Sequence, residues 1–222
     1  MKLLGDVSVT GSVAVEGGRE KQLRRDAYYM ALAEAVERGA DCLGTQVGAV
    51  LVLEDRVIST GYNGTPSGFP NCKDRGCVRC YDSWLIKADR AAEASDPTHV
   101  SGRALDRCIC VHGEQNALIT AAPFGIRVAG ASLYTTQSPC FGCLKEAVQA
   151  DIQRIIYKDW YAAHYSGEIL AQYWALAQHL SEGDSTRFEA LGGQASNIRE
   201  EGQPDPYSDE AGSTLEPPHV AA

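Results

Sequence analysis

Residues 131–157 read ASLYTTQSPCFGCLKEAVQADIQRIIY. This stretch divides into a strand over Ala131–Thr136, a helix over Pro139–Ala150 and a second strand over Ile152–Tyr157. Downstream, Glu168–Leu180 reads as another helix. Upstream, His112–Ala122 is a helix ended by Pro123. Further back lies the continuous apolar run VGAVLVL, Val47–Leu53, followed by a Glu54-Asp55 turn and a returning strand over Arg56–Thr60. Before it, Leu23, Ala27, Met30, Ala31 and Ala35 recur at three- and four-residue steps, which predicts a helix over Lys21–Arg38 that stops at Gly39. Strand–helix alternation after a hairpin implies a three-layer α/β/α fold with a mixed sheet.

The flanks differ in character. Residues 1–20 are rich in Gly, Ser and Val without a period and read as an N-terminal arm. Residues 21–180 carry the α/β pattern, interrupted by a polar, cysteine-bearing insertion over 71–107 with a helix expected around Asp82–Ala94. Residues 181–222 are acidic and rich in Pro and Gly, and a flexible tail without catalytic role is expected there.

The formal charge is −9 among 222 residues. A polymeric nucleic acid is therefore not the expected partner, because phosphate binding needs a basic footprint. A small phosphorylated ligand remains compatible, since a few local donors can hold it. No apolar run is long enough to cross a membrane. The N-terminus lacks the apolar core of a signal peptide, so a cytoplasmic setting is expected. Eight cysteines are too few for a disulfide scaffold, and in a reducing compartment their grouping points to metal.

The sharpest chemical signal combines His112-Gly113-Glu114 with Pro139-Cys140-Phe141-Gly142-Cys143. One histidine and two thiolates offer three ligands to zinc and leave a fourth tetrahedral position open, the arrangement of a catalytic site. The order H-x-E then P-C-x-x-C is the signature of zinc-dependent nucleobase deaminases, in which the glutamate carries protons and is not a ligand. Both halves fall at helix starts, where free N–H groups favour thiolates, and Pro139 suits the first helical position. On an ideal helix, His112 and Glu114 point about 200° apart. They can face one ion only if they occupy an irregular first turn. The implied chemistry is hydrolytic: Glu114 takes a proton from water, delivers it to N3 of a cytosine ring, and later protonates the amine leaving C4.

Six cysteines remain: Cys42, Cys72, Cys77, Cys80, Cys108 and Cys110. Four of them suffice for a second, closed structural zinc site that ties the insertion to the catalytic helix.

These pieces resemble the deoxycytidylate (dCMP) deaminases of the cytidine deaminase superfamily. The resemblance runs from about Arg25 to Asp159 through DAYYMALAEAVERGADC, QVGAVLV, STGYNGTPSGFPNC, CVHGEQNAL, LYTTQSPCFGC and IQRIIY. It implies a central five-stranded mixed sheet and conversion of dCMP to dUMP in supply of dTTP. It also implies a homo-oligomer, often a hexamer, activated by dCTP and inhibited by dTTP with Mg2+. It makes His112, Cys140 and Cys143 the ligands of the catalytic Zn2+ and Glu114 the proton shuttle. Asn63 would contact the deoxyribose, the Ser138 carbonyl would receive the exocyclic amine, and Asn116 and Tyr161 would enclose the nucleotide. For the structural Zn2+ it implies Cys42, Cys72, Cys77 and Cys108, with Cys80 and Cys110 as substitutes. The Gly61–Gly64 backbone, including Tyr62, is a candidate anion nest for an effector phosphate. Neighbouring substrates are dCTP, free (deoxy)cytidine and 5-methyl-dCMP. The last is suggested by Gly113, where the family usually carries Ala, if the missing methyl leaves room near the base.

Overall fold

A computed structural model describes residues 12–95, 108–161, 165, 167–180 and 188–191. In chain order the elements are α1 (Ser12–Glu37), β1 (Gly48–Leu53), β2 (Arg56–Tyr62), α2 (Val78–Lys87), α3 (Gly113–Ala121), β3 (Ser132–Gln137), α4 (Phe141–Gln149), β4 (Arg154–Asp159), α5 (Gly167–Leu180) and β5 (Phe188–Ala190). The five strands form one sheet in the order β2-β1-β3-β4-β5. The β2–β1 and β1–β3 pairs are antiparallel, while β3–β4 and β4–β5 are parallel, so the sheet is mixed as expected.

The apolar run of β1 follows from its central position. Val50 and Val52 face α1, packing with Tyr29, Met30, Ala33, Tyr134 and Ile156. Ala49 and Leu51 face the opposite layer, with Ala117 of α3, Leu144 and Ala147 of α4, and Tyr173, Ala177 and Leu180 of α5. A strand covered on both faces has no polar side to alternate with, hence VGAVLVL. Three layers result: α1, the sheet, then α3, α4 and α5. The β1–β2 hairpin turns through Glu54 and Asp55, both at positive φ (52° and 57°), the backbone that a tight two-residue turn requires.

A buried ion pair joins the layers. Arg154 of β4 donates to both carboxylate oxygens of Asp26 on α1, at 2.6 and 2.8 Å, and Tyr134 Oη donates to the same carboxylate at 2.7 Å. Arg154 also pairs with Glu189 of β5.

Several expectations are corrected. Helix α1 begins at Ser12, so part of the 1–20 arm is helical; residues 1–11 lie outside the described residues. The insertion's helix is α2 at Val78–Lys87 followed by a short turn at Ala91–Glu93, displaced from Asp82–Ala94 because it starts directly after Cys77. Residues 96–107 lie outside the described residues. Pro139 is not the first helical residue: Cys140 caps α4, and helical geometry starts at Phe141. Within the expected tail, Phe188–Ala190 form β5, paired to Ile155–Tyr157 and held by the Glu189–Arg154 contact. Residues 181–187 and 192–222 lie outside the described residues.

Candidate metal centre and active site

The two halves of the motif meet at the N-termini of α3 and α4. His112 is the residue before α3 and has extended backbone (φ −72°, ψ 158°), while Glu114 sits inside the first turn. The irregular start demanded by the His-x-Glu spacing is therefore present. His112 Nδ1 lies 3.4 Å from both Cys140 Sγ and Cys143 Sγ, and the two sulfurs are 3.5 Å apart. A tetrahedral zinc with Zn–S about 2.3 Å and Zn–N about 2.0–2.1 Å has ligand edges of about 3.6–3.8 Å. The donor set and its size thus fit one zinc ion with one position left over. Glu114 Oε2 accepts from Cys143 Sγ at 3.7 Å, which places the carboxylate beside the ligand cluster without joining it.

Burial raises the Glu114 carboxyl to about 7, with the negative Cys140 adding to the shift. Hydrogen bonding with Cys143 holds the Cys140 thiol down at about 4 despite burial. The same thiolate, as hydrogen-bond partner, lifts His112 to about 9. A buried carboxyl that titrates near neutrality can both take and give a proton, as a shuttle must.

Positioning contacts surround the ligands, and no motif announced them. The Gln115 side chain accepts from the His112 backbone N–H at 3.0 Å and donates to Glu146 at 2.9 Å, bracing α3 against α4. Tyr165 Oη accepts from Phe141 N–H at 2.7 Å, and Tyr173 Oη donates to the Pro139 carbonyl at 3.0 Å. Two tyrosines therefore fix the start of α4 on either side of Cys140. Their only sequence signal is a cluster of aromatics around α5.

The residues expected around a nucleotide are partly gathered. Ser138 and Tyr161 are joined, Tyr161 N–H donating to Ser138 Oγ at 2.7 Å. Asn116 donates to the Tyr62 carbonyl at 2.6 Å in an exposed contact. Asn63 is buried and braces the 45–47 segment: it accepts from Val47 N–H and donates to the Thr45 carbonyl, both at 2.8 Å.

The anion-nest expectation for Gly61, Tyr62 and Gly64 is not met. Gly61 and Tyr62 pair with β1 as part of β2. The next two N–H groups are spent on the Val47 and Val111 carbonyls, at 3.2 Å each. None of Gly61, Tyr62 and Gly64 has the positive φ of a nest. Gly61 is there because β2 crosses α3 closely: a Cβ on it would lie 2.2 Å from Ala117 N and 2.3 Å from Gly113 O.

The extra room expected at Gly113 is also absent. A methyl there would point at Val47, 2.9 Å from its carbonyl oxygen, so the space is already filled by the residue that leads into β1 rather than left open beside a base.

The six other cysteines converge in one place. Cys42, Cys72, Cys80 and Cys110 form one group whose sulfurs all lie within 4.8 Å of one another, and Cys77, Cys80, Cys108 and Cys110 form another. The set Cys42, Cys72, Cys77 and Cys108 is therefore split between the two groups, two in each, because Cys80 and Cys110 lie between the pairs. Thiol–thiol hydrogen bonds pull Cys42 far below the ordinary thiol range and push Cys110 far above it.

Among the described residues, no helix is long and apolar enough to cross a membrane. Residues 23–159 match the family described as the cytidine and deoxycytidylate deaminase zinc-binding region. Among curated relatives, the deoxycytidylate deaminase of Schizosaccharomyces pombe is 35% identical over 136 residues, covering 61% of this chain and 37% of that protein. That of Saccharomyces cerevisiae is 33% identical over 160 residues, 69% of this chain and 46% of that protein. The chain thus spans less than half the length of these two relatives. A crystal structure of dCMP deaminase from the cyanophage S-TIM5, in complex with dCMP and dUMP, superposes with a TM-score of 0.51 at 26% identity, over 74% of this chain and 94% of that one.

Proposed function

From a chain that belongs to the cytidine and deoxycytidylate deaminase family, we infer a hydrolase that removes the exocyclic amine of dCMP to give dUMP. One observation carries the reading: the carboxylate of Glu114 stands beside a three-ligand nitrogen–sulfur cluster of zinc dimensions. The names of the relatives, and the nucleotides bound to the cyanophage protein, support dCMP as the substrate.

His112 Nδ1, Cys140 Sγ and Cys143 Sγ would hold the zinc. When bound, the ion lowers the pKa of a water molecule from about 15.7 toward 7 and so supplies the nucleophile at neutral pH. Glu114 would take one proton from the attacking water and pass it to ring N3. As the C4–N bond breaks, Glu114 passes the second water proton to the departing amine. The water oxygen stays on C4, ammonia leaves, and nothing is oxidised or reduced. Ser138 and Tyr161, joined by their hydrogen bond, form one wall; Asn116 and Asn63 form the other, with Asn63 acting chiefly by holding the 45–47 segment.

The test is direct. The purified protein is incubated with dCMP, dCTP, 5-methyl-dCMP and deoxycytidine, and deamination is followed by absorbance. Turnover of dCMP is expected, and Glu114→Gln is expected to lose a factor of about 10²–10⁴ while keeping its zinc. A variant with full activity would overturn the role of Glu114, and preference for another of the four compounds would overturn dCMP. Hexamer formation, and activation by dCTP or inhibition by dTTP with Mg2+, rest on the resemblance alone. Light scattering and added-effector arms of the same assay test them.

A further inference from the structure

We propose that Cys42, Cys72, Cys77, Cys80, Cys108 and Cys110 hold two zinc ions in one binuclear cluster, with the Cys80 and Cys110 sulfurs bridging the metals. The six sulfurs lie together without sharing a residue with His112, Cys140 and Cys143. Around the first position, Cys42 and Cys80 are 3.6 Å apart and Cys72 and Cys110 3.1 Å. Around the second, Cys77 and Cys108 are 3.7 Å apart and Cys80 and Cys108 3.4 Å. The shared edge, Cys80 to Cys110, is 3.9 Å. A tetrahedral zinc thiolate site has sulfur–sulfur edges of about 3.8 Å. Each group of four is therefore the size of one ion, and the common pair is the size of an edge that two tetrahedra can share.

A single ion serves this cluster poorly. Held by the first group, it strands Cys77, which is 1% exposed, together with Cys108; held by the second, it strands Cys72, which is 0% exposed, together with Cys42. A second ion engages the stranded pair without adding net charge. It brings two positive charges and converts two thiols to thiolates, so the cluster stays at −2 either way. That matters for a site in which five of the six cysteines are buried and Cys108 is partly so. The separations are also far from the ~2.05 Å of a disulfide, and all six cysteines are free thiols.

The cluster would join three stretches of chain: the α1–β1 connection through Cys42, the turn and start of α2 through Cys72, Cys77 and Cys80, and the segment entering His112 through Cys108 and Cys110.

The full-length protein, purified without chelator, is analysed by native mass spectrometry and elemental analysis. About three zinc ions per chain are expected, two in the cluster and one at His112, Cys140 and Cys143. About two zinc ions per chain, or iron in place of zinc, would overturn the proposal. A second readout needs no variant. After exchange with the spin-active cadmium isotope, a shared thiolate makes two cadmium resonances split one another; uncoupled resonances would refute bridging. Cys80→Ser is then expected to lose both cluster ions, whereas Cys42→Ser loses one. Equal losses from the two variants would contradict the bridging assignment. Failure to turn over dCMP leaves the metal count untouched, so the two readings fail separately.

Discussion

Gly61→Ala probes the contact that positions Glu114, the proposed proton shuttle. The added Cβ would lie 2.2 Å from Ala117 N and 2.3 Å from Gly113 O, whereas ordinary contact begins at 3.4 Å. Both obstacles are backbone, so no side chain can swing aside. Strand β2 and helix α3 must separate by about 1.2 Å, the gap between those distances. Overpacking of this kind costs about 1–3 kcal/mol. For a domain of this size, each kcal/mol moves Tm by about 2–4 °C, so a fall of roughly 2–12 °C is expected. Gly113 is flanked by His112 and Glu114, and a misplacement of about 1 Å at reacting groups costs about 10²-fold in rate. Thermal unfolding and the dCMP assay on the same preparation read both effects. Gly18→Ala is the control: it lies on α1 with nothing within 4 Å of its Cβ, and it should gain about 0.5–1 kcal/mol. A Gly61→Ala protein with wild-type Tm and a rate within about twofold of wild type would refute the close crossing of β2 and α3.

The Asp26–Arg154 pair predicts a pH dependence. Burial pushes the Asp26 carboxyl up, but hydrogen bonds from Arg154, Tyr134 and Gln22 and the Arg154 charge outweigh it and hold the carboxyl below 3.8. Its stabilisation is therefore complete above the unfolded value of about 3.9 and is lost as pH falls through the lower folded value. Asp26→Asn should cost about 3 kcal/mol at neutral pH, with the gap to wild type closing below pH ~4; a gap that stays constant in denaturant melts across that range refutes the pairing. Tyr173→Phe leaves the Pro139 carbonyl without its donor and should cost about 1–2 kcal/mol, with zinc retained; an unchanged Tm would show that this bond contributes nothing. Gly113→Ala presses on Val47 rather than on substrate space, so the ratio of 5-methyl-dCMP to dCMP turnover should not change. A ratio shifted tenfold or more, about 1.4 kcal/mol, would restore the idea of extra room at that position.

What the sequence made legible follows from what each element needs. VGAVLVL is readable because a central strand buried on both faces must be apolar throughout, and the Glu54-Asp55 turn is readable from its residues. The three proposed zinc ligands are readable because zinc chemistry restricts both residue type and order. Strand β5 was hidden: three residues cannot display a period, and Glu189 is recruited by Arg154, which lies far away in sequence. The start of α1 was hidden because Ser12–Gly18 carries no apolar stripe. Spacing alone left the six cysteines unpaired, since their partition depends on how α2 turns Cys80 back toward Cys110. Tyr165 and Tyr173 act through single hydroxyls on backbone groups, and no motif records that.

The bridge between Gly64 and Val111, in which each residue's N–H meets the other's carbonyl, fastens together the two ends of a long excursion. A detour that returns to its point of departure can grow or shrink while its endpoints stay put, because each doubling of a flexible loop adds only about 0.6 kcal/mol. Chain length can therefore vary cheaply only where neither α2 nor the clustered cysteines Cys72, Cys77, Cys80, Cys108 and Cys110 fix it. The spacing of Asn63 and His112, on which the proposed site draws, is pinned by that bridge.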